Sequence, residues 1–235
     1  MKILAIDTSA KVASVSIVSQ DEVIAEFNIN CKLTHSQTLM PMCEQILSQT
    51  NLKIEDLDAF AVSVGPGSYT GLRIGISAVK GLALATNKPC IAVSTLHALA
   101  LNVSLFDGVI CAVMDARCNQ VYCALFNSNA NELQRITNDE AIPIDELEVK
   151  LKTFQKNIIL VGDGALLCYN SLSDKISNLS LSPKSQMLQK ASSVGLLGVS
   201  AYNNGQTLTC DELMPLYLRL PQAQREREAK LCNKD

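Results

Sequence analysis

Residues 58–86 constrain the fold more than any other stretch: a short apolar run, DAFAVSV, stops at a glycine-rich loop, GPGSYTG, and passes directly into a long apolar helix. Asp58–Val64 is predicted to be a buried strand, because Phe60, Val62 and Val64 carry β-preferring side chains and turn residues follow at once. In the loop, Gly65, Gly67 and Gly71 permit positive φ and close backbone approach, Pro66 fixes one φ, and Ser68 or Thr70 is placed to cap the helix. Two readings fit this loop. It is a tight structural turn, or its helix start contacts an anion or a nucleotide phosphate. The spacing G-x-G-x-x-x-G is one residue longer than the dinucleotide fingerprint, and no Gly-Lys-Ser/Thr follows to make a Walker loop. Ser68 also sits off the apex that a G-x-S-x-G nucleophile elbow requires.

The helix predicted over 71–86 is rich in small residues. Gly71, Gly75 and Ala78 share one face, and Ser77, Gly81 and Ala85 another. A glycine inside a helix costs about 1 kcal/mol relative to alanine, so close approach must offset it. That approach is either to the parent sheet or to a helix of another subunit, since Leu72, Ile74, Ile76, Val79, Leu82 and Leu84 leave no clean solvent face. On the second reading, leucine at Gly75 or Gly81 weakens association and leaves the fold intact.

Similar units recur along the chain. KILAID, VASVSIVS and EVIAEFNI alternate over residues 2–29 as an antiparallel meander. Asp7, Thr8 and Ser9 end its first strand, either as a hydrogen-bonded turn or where actin-like and sugar-kinase-like folds put an acidic phosphate loop, here without its glycine. A helix over 35–50 carries Leu39, Met42, Cys43, Ile46 and Leu47 on one stripe, with Met40 off it and His35 at its start. A strand at Pro89–Val93 and a helix from Ser94 to about Asn102 complete the order βββαβαβα. A second segment then repeats the pattern: strands VICAVMDA and QVYCALFN around Asp115, a third strand near 131–137, and a helix from Pro143. Ile158–Val161 runs into Gly162-Asp163-Gly164 and a helix, and a last helix is expected over Ser185–Tyr202. Two related halves, 1–104 and 105–221, followed by a charged tail, 222–235, account for this order. Asp7 and Asp115, ending equivalent strands, either face one another to bind magnesium with a nucleotide or are turn formers.

With 235 residues and 48% hydrophobic content the chain has the means for a core. A net charge of −3, no tryptophan and 4% aromatics offer neither a basic footprint nor a stacking platform, so any RNA is expected to be held by a partner. Nine cysteines without a C-x-x-C pair read as reduced core thiols of a cytoplasmic protein, and neither a signal peptide nor a membrane span is expected. His35 and His97 are the only histidines and no metal-ligand spacing occurs, so no metal site is expected.

MKILAIDTS, VGPGSYTGLRIGISAVKGLA, MDARCNQVYCALF and PLYLR together resemble the TsaB (YeaZ) family, non-catalytic relatives of the TsaD subunit that makes N6-threonylcarbamoyladenosine at position 37 of tRNA. The resemblance spans nearly the whole chain. It implies an α/β fold of the actin/Hsp70/sugar-kinase (ASKHA) type in two duplicated halves, the C-terminal one degenerate. It implies that the H-x-x-x-H metal pair of TsaD is lost, with Thr95 and Leu99 at those positions and His97 out of register. It implies a scaffold without catalytic residues that binds a TsaD-like subunit, works with a TsaE-like ATPase, and forms a homodimer when alone. ATP and metal would then be held in partner subunits, and tRNA would be reached only through the complex. The partner interface implied lies on the helix with His35, Leu39, Met40, Met42, Cys43 and Ile46 and on the helix with Gly71, Ile74, Gly75, Ala78, Gly81 and Leu82. Candidate phosphate or nucleotide loops are Asp7, Thr8 and Ser9; Gly65, Gly67, Ser68 and Thr70; Asp115; and Gly162 and Gly164. The alternative is a stand-alone small-molecule kinase of the same fold or a metallopeptidase-like enzyme.

Overall fold

The computed structural model describes residues 1–31, 33–129 and 132–219, so the charged tail expected at 222–235, the last two residues of the segment ending at 221, and Cys232 lie outside the described residues. The first half runs β1 (Lys2–Asp7), β2 (Ala13–Ser19), β3 (Val23–Ile29), α1 (His35–Gln49), β4 (Ala59–Gly65), α2 (Tyr69–Thr86), β5 (Cys90–Ser94) and α3 (Thr95–Leu101). Its sheet has the order β3-β2-β1-β4-β5: the meander is antiparallel, and β4 and β5 run parallel to β1.

The second half repeats this topology with β6 (Asp107–Asp115), β7 (Gln120–Asn129), β8 (Leu133–Arg135), β9 (Glu140–Pro143), α4 (Ile144–Leu151), β10 (Ile158–Val161), α5 (Ala165–Leu172), β11 (Leu179–Leu181) and α6 (Ala191–Asn203). The order β11-β10-β6-β7-β8 mirrors the first sheet, with β10 and β11 parallel to β6. It is the degenerate copy. The single strand β3 is replaced by two short ones, β8 on Phe126–Ser128 and β9 on Gln120–Cys123.

Strand parity builds five layers. Leu4, Ile6, Phe60 and Val62 point to the face covered by α1 and α2, while Ile3, Ala5, Ala59 and Ala61 point to the other. That second face is covered by α6, a helix of the second half, through Ala191, Val194 and Val199. Reciprocally, α3 of the first half packs Leu96, Leu99 and Ala100 onto Ile110, Ala112, Ala124 and Phe126 of the second sheet. Helices α4 and α5 close the far side on Val109, Cys111, Val113 and Leu160. Glycines let α6 approach: a Cβ at Gly195 would stand 2.4 Å from Val18 Cγ2.

Three local expectations need correction. Helix α6 begins at Ala191, not Ser185, because the preceding carbonyls are already engaged: Asn102 Nδ2 donates to Gln186 and Leu188, and the Gly162 amide donates to Met187. The short strands β9 and β11 are absent from the sequence reading because each is only three or four residues long and lacks alternation. Core thiols are found at Cys43, Cys90, Cys111, Cys123 and Cys168, whereas Cys31 and Cys118 are exposed. Burial pushes Cys43, Cys123 and Cys168 up to about 12, which leaves them inert thiols.

Candidate functional site

The turn after β1 is stapled to the glycine loop before α2. Asp7 is fully buried, with Oδ1 accepting from the Ser9 amide (2.9 Å) and hydroxyl (2.6 Å), and Oδ2 from the Ser63 hydroxyl (2.6 Å). Burial pushes its carboxyl above the usual range while the Ser63 and Ser9 hydrogen bonds pull it down. The Thr8 hydroxyl donates to the Gly71 carbonyl (2.7 Å), the Ser68 amide donates to the Ser9 carbonyl (2.7 Å), and Ser68 Oγ caps α2 by accepting from the Gly71 amide (3.3 Å). A Cβ on Gly67 would lie 2.5 Å from the Ser9 carbonyl oxygen, and one on Gly71 2.1 Å from that of Thr8. These glycines serve close packing of one loop on the other.

Asp7 therefore does not face Asp115 across a cleft. It is sealed inside the first half, whereas Asp115 is exposed, accepts from the Arg117 amide (2.7 Å) and lines the space between the halves. Each Asp7 oxygen is hydrogen-bonded within the first half, and Asp7 does not line the cleft. Gly162 and Gly164 repeat the close approach in the second half, their Cβ positions falling 2.1 Å from the Val113 carbonyl oxygen and 2.8 Å from the Met114 carbonyl carbon.

The cleft itself has a volume of about 540 Å³ and mixed charge, with Lys11, Arg117 and Arg219 against Asp115 and Asp163. Ser9, Gly67, Ser68 and Thr70 reach it from the first half; Thr8 is buried behind them. Asp163 Oδ1 is buried without a hydrogen-bond partner, as are both amide atoms of Gln189. Burial pushes Asp163 up to about 6, opposed first by its own backbone amide and then by Lys11, with Asp115 adding to the rise; the Gln189 amide lies near the carboxyl without a geometrically formed hydrogen bond. A strap at 216–219 crosses the cleft: the Leu216 amide donates to the Val64 carbonyl (2.7 Å), and Arg219 Nη1 donates to that of Ala116 (2.5 Å). Gly65, at φ +132°, is the residue on which the strap rests, since a Cβ there would meet the Leu216 carbonyl oxygen at 2.4 Å.

On the outer face of the first half, α1 and α2 border an apolar groove of about 640 Å³. Leu39, Ile74 and Ala78 line it, and Met40, off the core stripe, is half-exposed beside it. Several residues expected at a partner interface lie elsewhere. Met42, Cys43 and Ile46 are core residues under α1, and Leu39, itself buried, is the floor of the groove. Gly71 and Gly75 face the chain's own sheet, where a Cβ on Gly75 would stand 2.4 Å from Thr8 Oγ1. Gly81 is open, with nothing near its Cβ position, and Leu82 is half-buried. His35 turns inward, and its Nε2 donates to the Ala10 carbonyl (2.7 Å). At one end of the groove the Arg73 guanidinium lies 4.1 Å from the Tyr69 ring centroid, and its Nε donates to the Tyr217 hydroxyl (2.9 Å) of the strap. Sequence reasoning does not single out Lys11, Arg73, Arg117, Asp163, Tyr217 or Arg219. A signal existed for Arg73, the one charge in α2 before Lys80.

His97 stacks on Phe126 (5.4 Å between centroids), and burial and then Arg135 push its pKa down against the pull of Asp139. Thr95 and Leu99, the positions at which the resemblance implies a lost metal pair, are buried. Among the described residues no three His, Cys, Asp or Glu side chains cluster as metal ligands, and no helix is long and apolar enough to cross a membrane.

Comparison with known proteins agrees with this architecture. The family model of TsaD, tRNA N6-adenosine threonylcarbamoyltransferase, matches residues 22–227. The tRNA threonylcarbamoyladenosine biosynthesis protein TsaB of Bacillus subtilis is 32% identical, covering 95% of this chain and 96% of that protein. TsaB of Escherichia coli is also 32% identical, over 93% and 95%. A Pseudomonas aeruginosa crystal structure described as similar to peptidase YeaZ is 26% identical with a TM-score of 0.79, covering 93% of this chain and 99% of that one. An activator of 2-hydroxyisocaproyl-CoA dehydratase from Clostridium difficile, solved with ADPNP, shares the fold at a TM-score of 0.51 and 12% identity, over 92% and 99%. With relatives matched along almost their full length, the chain belongs to the TsaB family of tRNA threonylcarbamoyladenosine biosynthesis proteins.

Proposed function

We propose that this chain is a non-catalytic subunit of tRNA threonylcarbamoyladenosine biosynthesis that docks a TsaD-like catalytic subunit on its α1–α2 face. The observation that carries this reading is the apolar groove between those helices, with Met40 half-exposed beside it on a surface that a monomer gains nothing by keeping apolar. The sealed Asp7 supports a role without nucleotide chemistry of its own, so ATP and metal belong to the partner subunits, among them a TsaE-like ATPase. In the partner's absence the same face joins two copies of this chain, and tRNA is held only by the assembled complex, in the cytoplasm. Mixing the chain with a TsaD-like subunit is expected to give a heterodimer on gel filtration; unchanged elution of both proteins overturns the reading. One observation favours a small-molecule kinase instead, the polar cleft with Lys11 and Arg117 beside Asp115. Calorimetry with Mg-ATP separates the two: the scaffold gives no saturable heat, the kinase stoichiometric binding.

A further inference from the structure

The α1–α2 groove is mainly apolar, with the hydroxyls of Ser36, Tyr69, Thr70 and Ser77 along it and charge at one point only. Arg73 is the sole charged side chain lining it, beside Ile74, Ala78, Leu39 and Met40. Its guanidinium is already placed: stacked on Tyr69, with Nε held by the Tyr217 hydroxyl, while Tyr217 itself packs on Tyr69 with ring centroids 4.8 Å apart. Among the described residues no carboxylate pairs with it. An arginine fixed by a stack and one hydrogen bond keeps its two terminal nitrogens free for a forked contact and loses little further freedom when it makes one.

We propose that Arg73 is the receptor for a carboxylate carried on the helix that occupies this groove. The occupant is thus a helix of the docking partner with an apolar face and a single Asp or Glu at the end nearest the 216–219 strap. This rests on the docking reading above and adds the chemistry of the partner. The argument is charge complementarity: an apolar helix alone would bury the guanidinium without a counter-charge, whereas one carboxylate converts that penalty into a fixed register. Tyr217 is a positioning residue. It links the groove to the cleft-crossing strap, since the same Tyr69 and Thr70 line both spaces.

The test is titration of the TsaD-like partner against full-length wild type, Arg73→Ala, Arg73→Lys and Tyr217→Phe at low and high salt. Arg73→Ala is expected to weaken binding about thirty-fold and to flatten its salt dependence. Arg73→Lys should recover little, lacking fork and stack, and Tyr217→Phe should fall between. Equal affinity and equal salt slope for Arg73→Ala and wild type overturn the proposal while leaving docking intact; absence of binding by wild type overturns both. A full-length Glu226→Gln/Glu228→Gln variant distinguishes an internal carboxylate: if it and Arg73→Ala both bind the partner more tightly than wild type, the guanidinium serves the chain's own tail and the proposal fails. It fails as well if Arg73→Ala alters only self-association measured by sedimentation.

Discussion

Asp7 and Asp163 are both pushed above the ordinary carboxylate range by burial, yet they differ in compensation. Asp7 receives three hydrogen bonds, whereas Asp163 leaves Oδ1 unpartnered at the rim of the cleft. For an acid whose folded pKa is raised, the native state binds the proton more tightly, so stability is greatest below the unfolded value and is lost as pH rises through the folded one. With Asp163 moved from 3.8 to about 6, the loss falls between roughly pH 4 and pH 6. Asp163→Asn is therefore expected to stabilise the protein at pH 7.5 by on the order of 3 kcal/mol and to change almost nothing at pH 3, below the unfolded value. Melting temperatures of both proteins at the two pH values check this; an equal gain at both would assign the effect to something other than charge.

Helix α2 has two stripes of small residues with opposite fates. Gly71 and Gly75 are pressed against Thr8, while Ser77, Gly81 and Ala85 look outward. Gly75→Leu is expected to destabilise by about 3 kcal/mol through overpacking, and Gly81→Leu to stabilise slightly through helix propensity while weakening partner binding. Denaturant unfolding together with gel filtration separates the two. The elements themselves were legible: the period-2 runs of the meander, the cap at Ser68 and the stripe of α1 all carry local signals that tertiary structure respects. Which of two similar stripes faces inward was not, because the answer depends on where Thr8 lies, a contact 67 residues away in sequence. The start of α6 was hidden for the same reason, its neighbouring carbonyls being claimed by Asn102 and Gly162. The cleft charges and the Arg73 stack were equally invisible, since they join β1, α2, β6 and the strap only after folding.

In the whole molecule the two halves cover each other, α6 on the first sheet and α3 on the second. Residues 1–104 alone would leave Ile3, Ala5, Val18, Ala59 and Ala61 open to water, each larger side chain forgoing about 1.5–3 kcal/mol of burial. The fragment is expected to aggregate when expressed by itself and to become soluble when residues 105–235 are co-expressed; a cooperative melt of the isolated fragment would contradict the exchange. The arrangement also sets a timetable on the ribosome. The first sheet is complete at Ser94, but its lid is not synthesised until Asn203, about a hundred residues later. At about 5–20 residues per second the nascent chain carries a naked greasy plane for on the order of ten seconds, a window in which chaperone capture competes with self-adhesion.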